Sequence, residues 1–367
     1  MVYTAELKAG IGAVRKSLQE AGLGQQDPRF RAHGQHEPAA HAPLVLVACS
    51  GGRDSMALAA LAVKVCPTLG LKCGAVIVDH GLQADSAQVS AQAVGRCQDL
   101  GLDPVVNRRV QVVQAAEGLE AAARQARYGA LTAVAQELGA DAILLAHTAD
   151  DQAEGLLIGL IRSAGLKALA GMSAQSRRDG LLLLRPLLGL RRSQTTAICQ
   201  QLGIRWWDDP TNGDRLDPQT PLPASFPLRS RVRHDLLPAL SAFAGKDMGA
   251  QLARSARLAK DDQDYIDQEA LRLLSSARCQ QEPEPIGVLA ALRVSVLKQA
   301  HPAVRAHAWA CLFQSLNLAV SSQQIGQVDA LVTHWHGQGR VTLPSFYSAT
   351  RKGHVILICK DREHANR

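Results

Sequence analysis

At 367 residues, with 47% apolar and 20% charged side chains, the chain is long enough for two or three domains and has the balance of an ordinary globular protein. No apolar run approaches the roughly 20 residues that span a bilayer, and Glu6, Lys8, Arg15 and Lys16 interrupt any signal-peptide core, so a cytoplasmic protein with no membrane part is expected. A net charge of +7 admits an acidic partner such as nucleic acid, and eight scattered cysteines without a C-x-x-C pair fit reduced, buried thiols.

Residues 1 to about 23 read as one amphipathic helix, followed to Pro43 by a mobile connector rich in Gly, Pro, Gln and His. His33, His36 and His41 lack a second cluster at ligand spacing, which argues against a metal site there. From Leu44 strands and helices alternate: strands near 44–49, 73–78, 104–110, 142–146 and 181–185, helices near 55–65, 85–100, 117–138, 151–162 and 192–202. Short connections of this kind predict parallel βαβ units, with ligands at the carboxyl ends of the strands, where Ser50, Asp79 and His147 fall. Beyond Pro238 the pattern turns helical, with an amphipathic stretch over about 249–277 and another helical region near 303–335. Two strands, Arg340 to Leu343 and Val355 to Cys359, then close a small α+β unit.

Between the first strand and its helix lies Ser50-Gly51-Gly52-Arg53-Asp54-Ser55. Two glycines let the backbone approach a bulky anion, the helix start offers unpaired N–H groups, and Ser50 and Ser55 add hydroxyls, so the segment reads as a phosphate loop. It does not match the G-x-x-x-x-G-K-[ST] pattern. A second signal, His147-Thr148-Ala149-Asp150-Asp151-Gln152-Ala153-Glu154, places three carboxylates at spacings of three and four on the first turns of a helix at another strand end. Such a cluster suits Mg²⁺ and a cationic substrate group; helix capping is the other use for acids at that position.

The loop resembles that of the N-type ATP pyrophosphatases. The run from His147 to Met172 is similar to the signature of the tRNA(Ile)-lysidine synthetases. Asp79-His80-Gly81-Leu82, Arg124 with Arg127-Tyr128, Arg185-Pro186-Leu187-Leu188, Trp207 to Asn212 and Arg229-Ser230-Arg231-Val232-Arg233 follow the same family order. The resemblance implies an adenine nucleotide alpha hydrolase-like PP-loop domain with a parallel sheet over residues 44–238. Residues 1–43 would precede it as helix and connector, and 239–367 would form a helical linker and a small α+β tRNA-binding domain. It implies ATP-dependent ligation of free L-lysine to the 2-position of the wobble cytidine in a CAU-anticodon tRNA(Ile), through an adenylated cytidine with release of AMP and pyrophosphate. A 2-thiocytidine synthetase of the same fold and a non-catalytic tRNA-binding relative stay open as alternatives, as does a homodimer.

On this resemblance Ser50, Gly51, Gly52, Arg53, Asp54, Ser55, Asp79 and His80 contact ATP. Asp54, Asp151 and Glu154 are catalytic, with Asp54 and Asp151 touching Mg²⁺. Arg124, Arg127, His147, Asp150, Arg185, Arg229, Arg231 and Arg233 serve the substrate or the tRNA. Two expectations come from the residues alone. Asp54, a strand-end carboxylate, should contribute little to stability, and the proline-containing segment 217–224, an insertion relative to the family pattern, should be an exposed, dispensable loop.

Overall fold

The computed structural model describes residues 2–24, 37–81, 85–112, 119–162, 166–213, 216–217, 219–279 and 287–361; most of the expected connector, with His33 and His36, lies outside them. The chain divides into two compact units, Met1–Lys260 and Asp261–Arg367.

The first unit opens with α1 (Ala5–Glu20), capped by the Thr4 hydroxyl. Then come β1 (Leu44–Ala48), α2 (Arg53–Val65), β2 (Lys72–Asp79), α3 (Ser86–Asp99), β3 (Val105–Arg109), α4 (Leu119–Glu137), β4 (Ala142–Leu144) and α5 (Ala149–Ile161). A short α6 (Leu166–Leu169), the hairpin β5 (Gln175–Arg178) and β6 (Leu181–Leu184), α7 (Arg192–Gln201), α8 (Leu228–Arg231) and α9 (Leu237–Ala244) follow. Between α8 and α9 the helix widens into a π-type turn over Val232–Leu236. The long α10 (Met248–Ala277) runs across the division between the units.

The six strands lie in the order β3-β2-β1-β4-β6-β5, parallel except for the edge strand β5. Period-two alternation sends Val45 and Val47 to one face of β1 and Leu46 to the other, so each apolar strand feeds two cores. One core gathers Leu7, Val14 and Leu18 of α1 with α2 and α7; the other gathers Tyr128, Leu131 and Val134 of α4. The amino-terminal helix is therefore part of the α/β core. Gly10 makes this possible, because a Cβ there would stand 2.9 Å from Leu61.

The second unit sets a four-stranded antiparallel sheet, in the order β7 (Val288–Arg293), β10 (Val355–Lys360), β9 (Tyr347–Lys352), β8 (Val341–Leu343), beside α11 (Val294–Gln299), α12 (Pro302–Ser315) and α13 (Ser322–Thr333). Trp309 and Phe313 fill its centre. Buried Arg305 pairs with Asp329 at 2.5 and 3.0 Å, and Asp329 also accepts from the Trp309 indole at 3.0 Å.

No helix among the described residues is long and apolar enough to cross a membrane. The insertion differs in part from expectation. Its described residues are exposed except Leu222, which is buried, packs against Gly213 and donates its N–H to both Asp235 oxygens at 3.2 Å. Excising 217–224 should therefore destabilise the protein by about 2 kcal/mol, and Leu222→Ala should reproduce most of that loss. Urea unfolding checks this; a Leu222→Ala midpoint equal to the parent's would return the segment to a free loop.

Candidate active site

The parallel sheet brings three connections to one edge, after β1, β2 and β4. In the first, Gly51 has φ +77° and a Cβ there would meet Ala93 at 3.0 Å, so glycine is needed both for conformation and for packing. Ser55 stitches the loop: its hydroxyl donates to the Gly52 carbonyl at 2.8 Å and accepts the Ser50 N–H at 3.2 Å. Gly52 provides no side-chain cap for α2, so the N–H groups of the first helical turn stay available to an anion, while the exposed Ser50 hydroxyl bonds the Ser55 hydroxyl at 3.2 Å. The Trp207 N–H donates to the Gly51 carbonyl at 2.8 Å, fixing the 207–212 segment against the loop.

After β4, Thr148 and Asp151 form a reciprocal capping box, with the Thr148 N–H donating to Asp151 Oδ2 at 2.7 Å. The other Asp151 oxygen lies 3.4 Å from Arg192 and 3.5 Å from Arg229. Burial works to raise the Asp151 carboxyl, but Arg192, His147, the Thr148 N–H and Arg229 outweigh it and hold the group below its ordinary range. Glu154, fully buried one turn on, takes a forked pair from Arg233 at 2.7 and 3.2 Å and a third bond from Arg192 at 3.3 Å. Asp150 takes the backbone N–H of Arg192 at 2.7 Å and the Arg191 Nε at 3.2 Å, which makes it a cap for α7.

Arg192 is the hub. Its guanidinium reaches Asp54 at 3.3 Å, Glu154 at 3.3 Å and Asp151 at 3.4 Å, joining the phosphate loop to the acidic helix. Thr195 adds a 2.5 Å bond to Asp54. Arg191, Arg192 and Thr195 were missed in the sequence, although one signal existed: two cations at a helix start oppose the dipole and call for acidic partners.

The other expected residues separate by role. Asp79 is buried and accepts the Gly81 N–H at 2.9 Å, closing the turn after β2. His80 stands beside it, its pKa lowered by burial and by Arg127. Arg124, Arg127 and Arg178 all approach the Tyr128 ring, at 5.0 to 5.7 Å. Burial also lowers the Arg127 pKa. Arg185 is buried and donates to the Ser173 carbonyl and the Ser176 hydroxyl at 2.9 Å, so its observed partners are structural. Arg229 and Arg233 join the acidic cluster. Arg231 does not, and its Nε is buried without a hydrogen-bond partner among the described residues. Burial, with Arg185, Arg127 and Arg124 nearby, pushes the His147 imidazole down to about 3 against the pull of Asp151. No group of three or more His, Cys, Asp or Glu side chains among the described residues forms a ready-made metal cage.

A parallel sheet with an uncapped glycine loop after its first strand, faced by carboxylates from a neighbouring strand end, defines a PP-loop ATP-using protein; a family model described as a PP-loop domain matches residues 29–240. The chain is 51% identical over its whole length to the tRNA(Ile)-lysidine synthase of Bifidobacterium animalis subsp. lactis, covering 98% of that protein. It is 50% identical to that of Bifidobacterium longum subsp. infantis, with all of both chains covered. Against the Salinispora tropica synthase the identity is 43%, over 95% of this chain and 96% of the relative. The chain belongs to the tRNA(Ile)-lysidine synthase family. A U34-tRNA thiolase from Methanococcus maripaludis, solved with its [4Fe-4S] cluster, shares the fold at a TM-score of 0.51 and 17% identity, covering 70% of this chain and 80% of that one.

Proposed function

We propose that this chain is a ligase that attaches the ε-amine of free lysine to C2 of the wobble cytidine in a CAU-anticodon tRNA(Ile), acting in the cytoplasm as catalytic domain 44–238 with an accessory tRNA-binding region 239–367. The observation that carries this reading is the Arg192 bridge, which holds an anion-binding loop and a buried acidic cluster side by side. In the first step the cytidine 2-oxygen attacks the α-phosphorus of ATP and the bond to the β-phosphate oxygen breaks. The free N–H groups at the start of α2 offset the charge that collects on the departing pyrophosphate. In the second step lysine nitrogen, having given one ammonium proton to a carboxylate of the acidic cluster, attacks C2 and the C–O bond to AMP breaks. Asp151 and Glu154 recognise the lysine cation.

Mg²⁺ enters with ATP as part of that substrate. Asp54 and Asp151 suit it chemically as hard oxygen donors, and both now face Arg192. A sulfur-transferring alternative has less support, because no two of the eight cysteines form a C-x-x-C pair.

Purified protein incubated with CAU-anticodon tRNA(Ile), MgATP and labelled lysine should yield a lysine-bearing cytidine on nucleoside analysis, with AMP and pyrophosphate released. Sulfur incorporation independent of lysine, or tRNA binding with no ATP turnover, would overturn the assignment.

A further inference from the structure

Leu222, in the inserted segment, ties together two stretches of chain that are distant in sequence. Its side chain packs on Gly213, where a Cβ would stand 2.8 Å from it, and its N–H donates to both Asp235 oxygens at 3.2 Å. Gly213, with φ +77°, ends the short helical turn Pro210–Asn212, and Asp235 lies inside the π-type turn Val232–Leu236. Arg233 joins the same two stretches. Its Nη1 donates to Asn212 Oδ1 at 3.3 Å, while Nε and Nη2 fork onto the buried Glu154 at 2.7 and 3.2 Å. Leu222 thus holds both of the segments from which the Arg233 guanidinium is fixed.

A π-type turn loses the regular helix ladder and is found mostly at functional sites. Here Asp235 anchors the turn that carries Arg233, and its carboxylate also takes the Nδ1–H of His234 at 2.7 Å. Arg192, another cation on Glu154, makes one bond of 3.3 Å there and divides itself with Asp54 and Asp151. Arg233 is therefore the fixed partner of Glu154, and Arg192 the shared one. We propose that Leu222 and Asp235 are positioning residues, a strut that keeps Arg233 on Glu154 and so sets the carboxylate that meets the lysine cation. The part that concerns lysine rests on the reading of the chain as a lysine ligase.

Full-length Leu222→Ala, Asp235→Ala and Asp235→Asn are compared with the parent. ATP–pyrophosphate exchange with CAU-anticodon tRNA and no lysine reads the first step, and transfer of labelled lysine reads the second. Leu222→Ala and Asp235→Ala should raise the lysine concentration for half-maximal transfer about tenfold, with exchange within about twofold of the parent, since the carboxylate is displaced and the phosphate loop is not. Asp235→Asn keeps an oxygen for the Leu222 N–H and should stay near the parent. Urea unfolding gives a readout that does not depend on the reaction. In a Glu154→Gln background, which removes the charge that Arg233 grips, the loss of midpoint caused by Asp235→Ala should shrink by about half, whereas a residue with no hold on Arg233 gives additive losses. Any one of three results overturns the strut: unchanged lysine half-saturation in both alanine variants, exchange that falls in step with transfer, or additive midpoints. A parent that transfers no lysine overturns the ligase reading instead, and the midpoints alone then decide the strut.

Discussion

Replacing Arg192 with leucine should slow adenylation sharply and cost the fold on the order of 3 kcal/mol, because removing one member of a buried ion-pair network leaves its acids charged and short of a cation. The guanidinium is only 14% exposed and faces three carboxylates, of which Glu154 is wholly buried. Leucine replaces its volume but none of its charge. Arg192→Lys should recover part of the stability, since one ammonium neutralises the cluster but cannot fork to three acceptors. ATP–pyrophosphate exchange should fall by about 100-fold or more in the leucine variant, the usual size of losing a preorganised charge at a phosphoryl-transfer site. Urea unfolding and exchange measured on the same preparations check both effects. A leucine variant as stable as the parent would mean that Arg192 is not what balances the acids.

Acid should destabilise this protein in two stages, and His147 sets the first. In the unfolded chain an imidazole takes up a proton below about pH 6.5, whereas in the fold burial and three arginines postpone this to about 3. Between those values the unfolded chain holds the extra proton, so stability falls as pH falls, with a slope of at most about 1.4 kcal/mol per pH unit from this group. The stage ends once the folded imidazole also titrates. Asp151, with its carboxyl held below the ordinary range, adds a second loss at lower pH, present in full at neutrality and removed as pH falls through the folded value. Urea midpoints from pH 7 to 4 should therefore drop less steeply in His147→Gln than in the parent. Parallel curves would show that His147 titrates normally.

The succession of strands along the chain, and the glycine loop and acids that follow two of them, were legible because both are written in local pattern. Apolar runs at even spacing marked β1, β2 and β4, and glycines and acids stood directly after them. The partners of those acids were not legible. Arg192 lies 38 residues from Glu154 and 138 from Asp54, and nothing local says which cation a folded sheet will deliver. For the same reason Asp54 seemed free of structural duties, yet Thr195 and Arg192 tie it to α7. The strand β5 escaped notice because Gln175-Ser176-Arg177-Arg178 has no apolar alternation. Its turn was visible in Asp179-Gly180, whose positive φ values of 49° and 82° are those such a dipeptide adopts in a tight hairpin.

The acids of the site are matched by the protein's own guanidiniums: Asp150 by Arg191, Glu154 by Arg233, and Asp54 and Asp151 by Arg192 with Arg229. A balanced cluster has little net attraction for a free cation. An incoming ammonium or metal ion must dislodge an arginine, and a dislodged arginine is ready for a phosphate. Cation and anion then help one another to bind, and by thermodynamic reciprocity whatever factor ATP adds to lysine affinity, lysine adds to ATP affinity. If the cation is the lysine of the proposed reaction, that amino acid should bind weakly alone and more tightly once the nucleotide is in place.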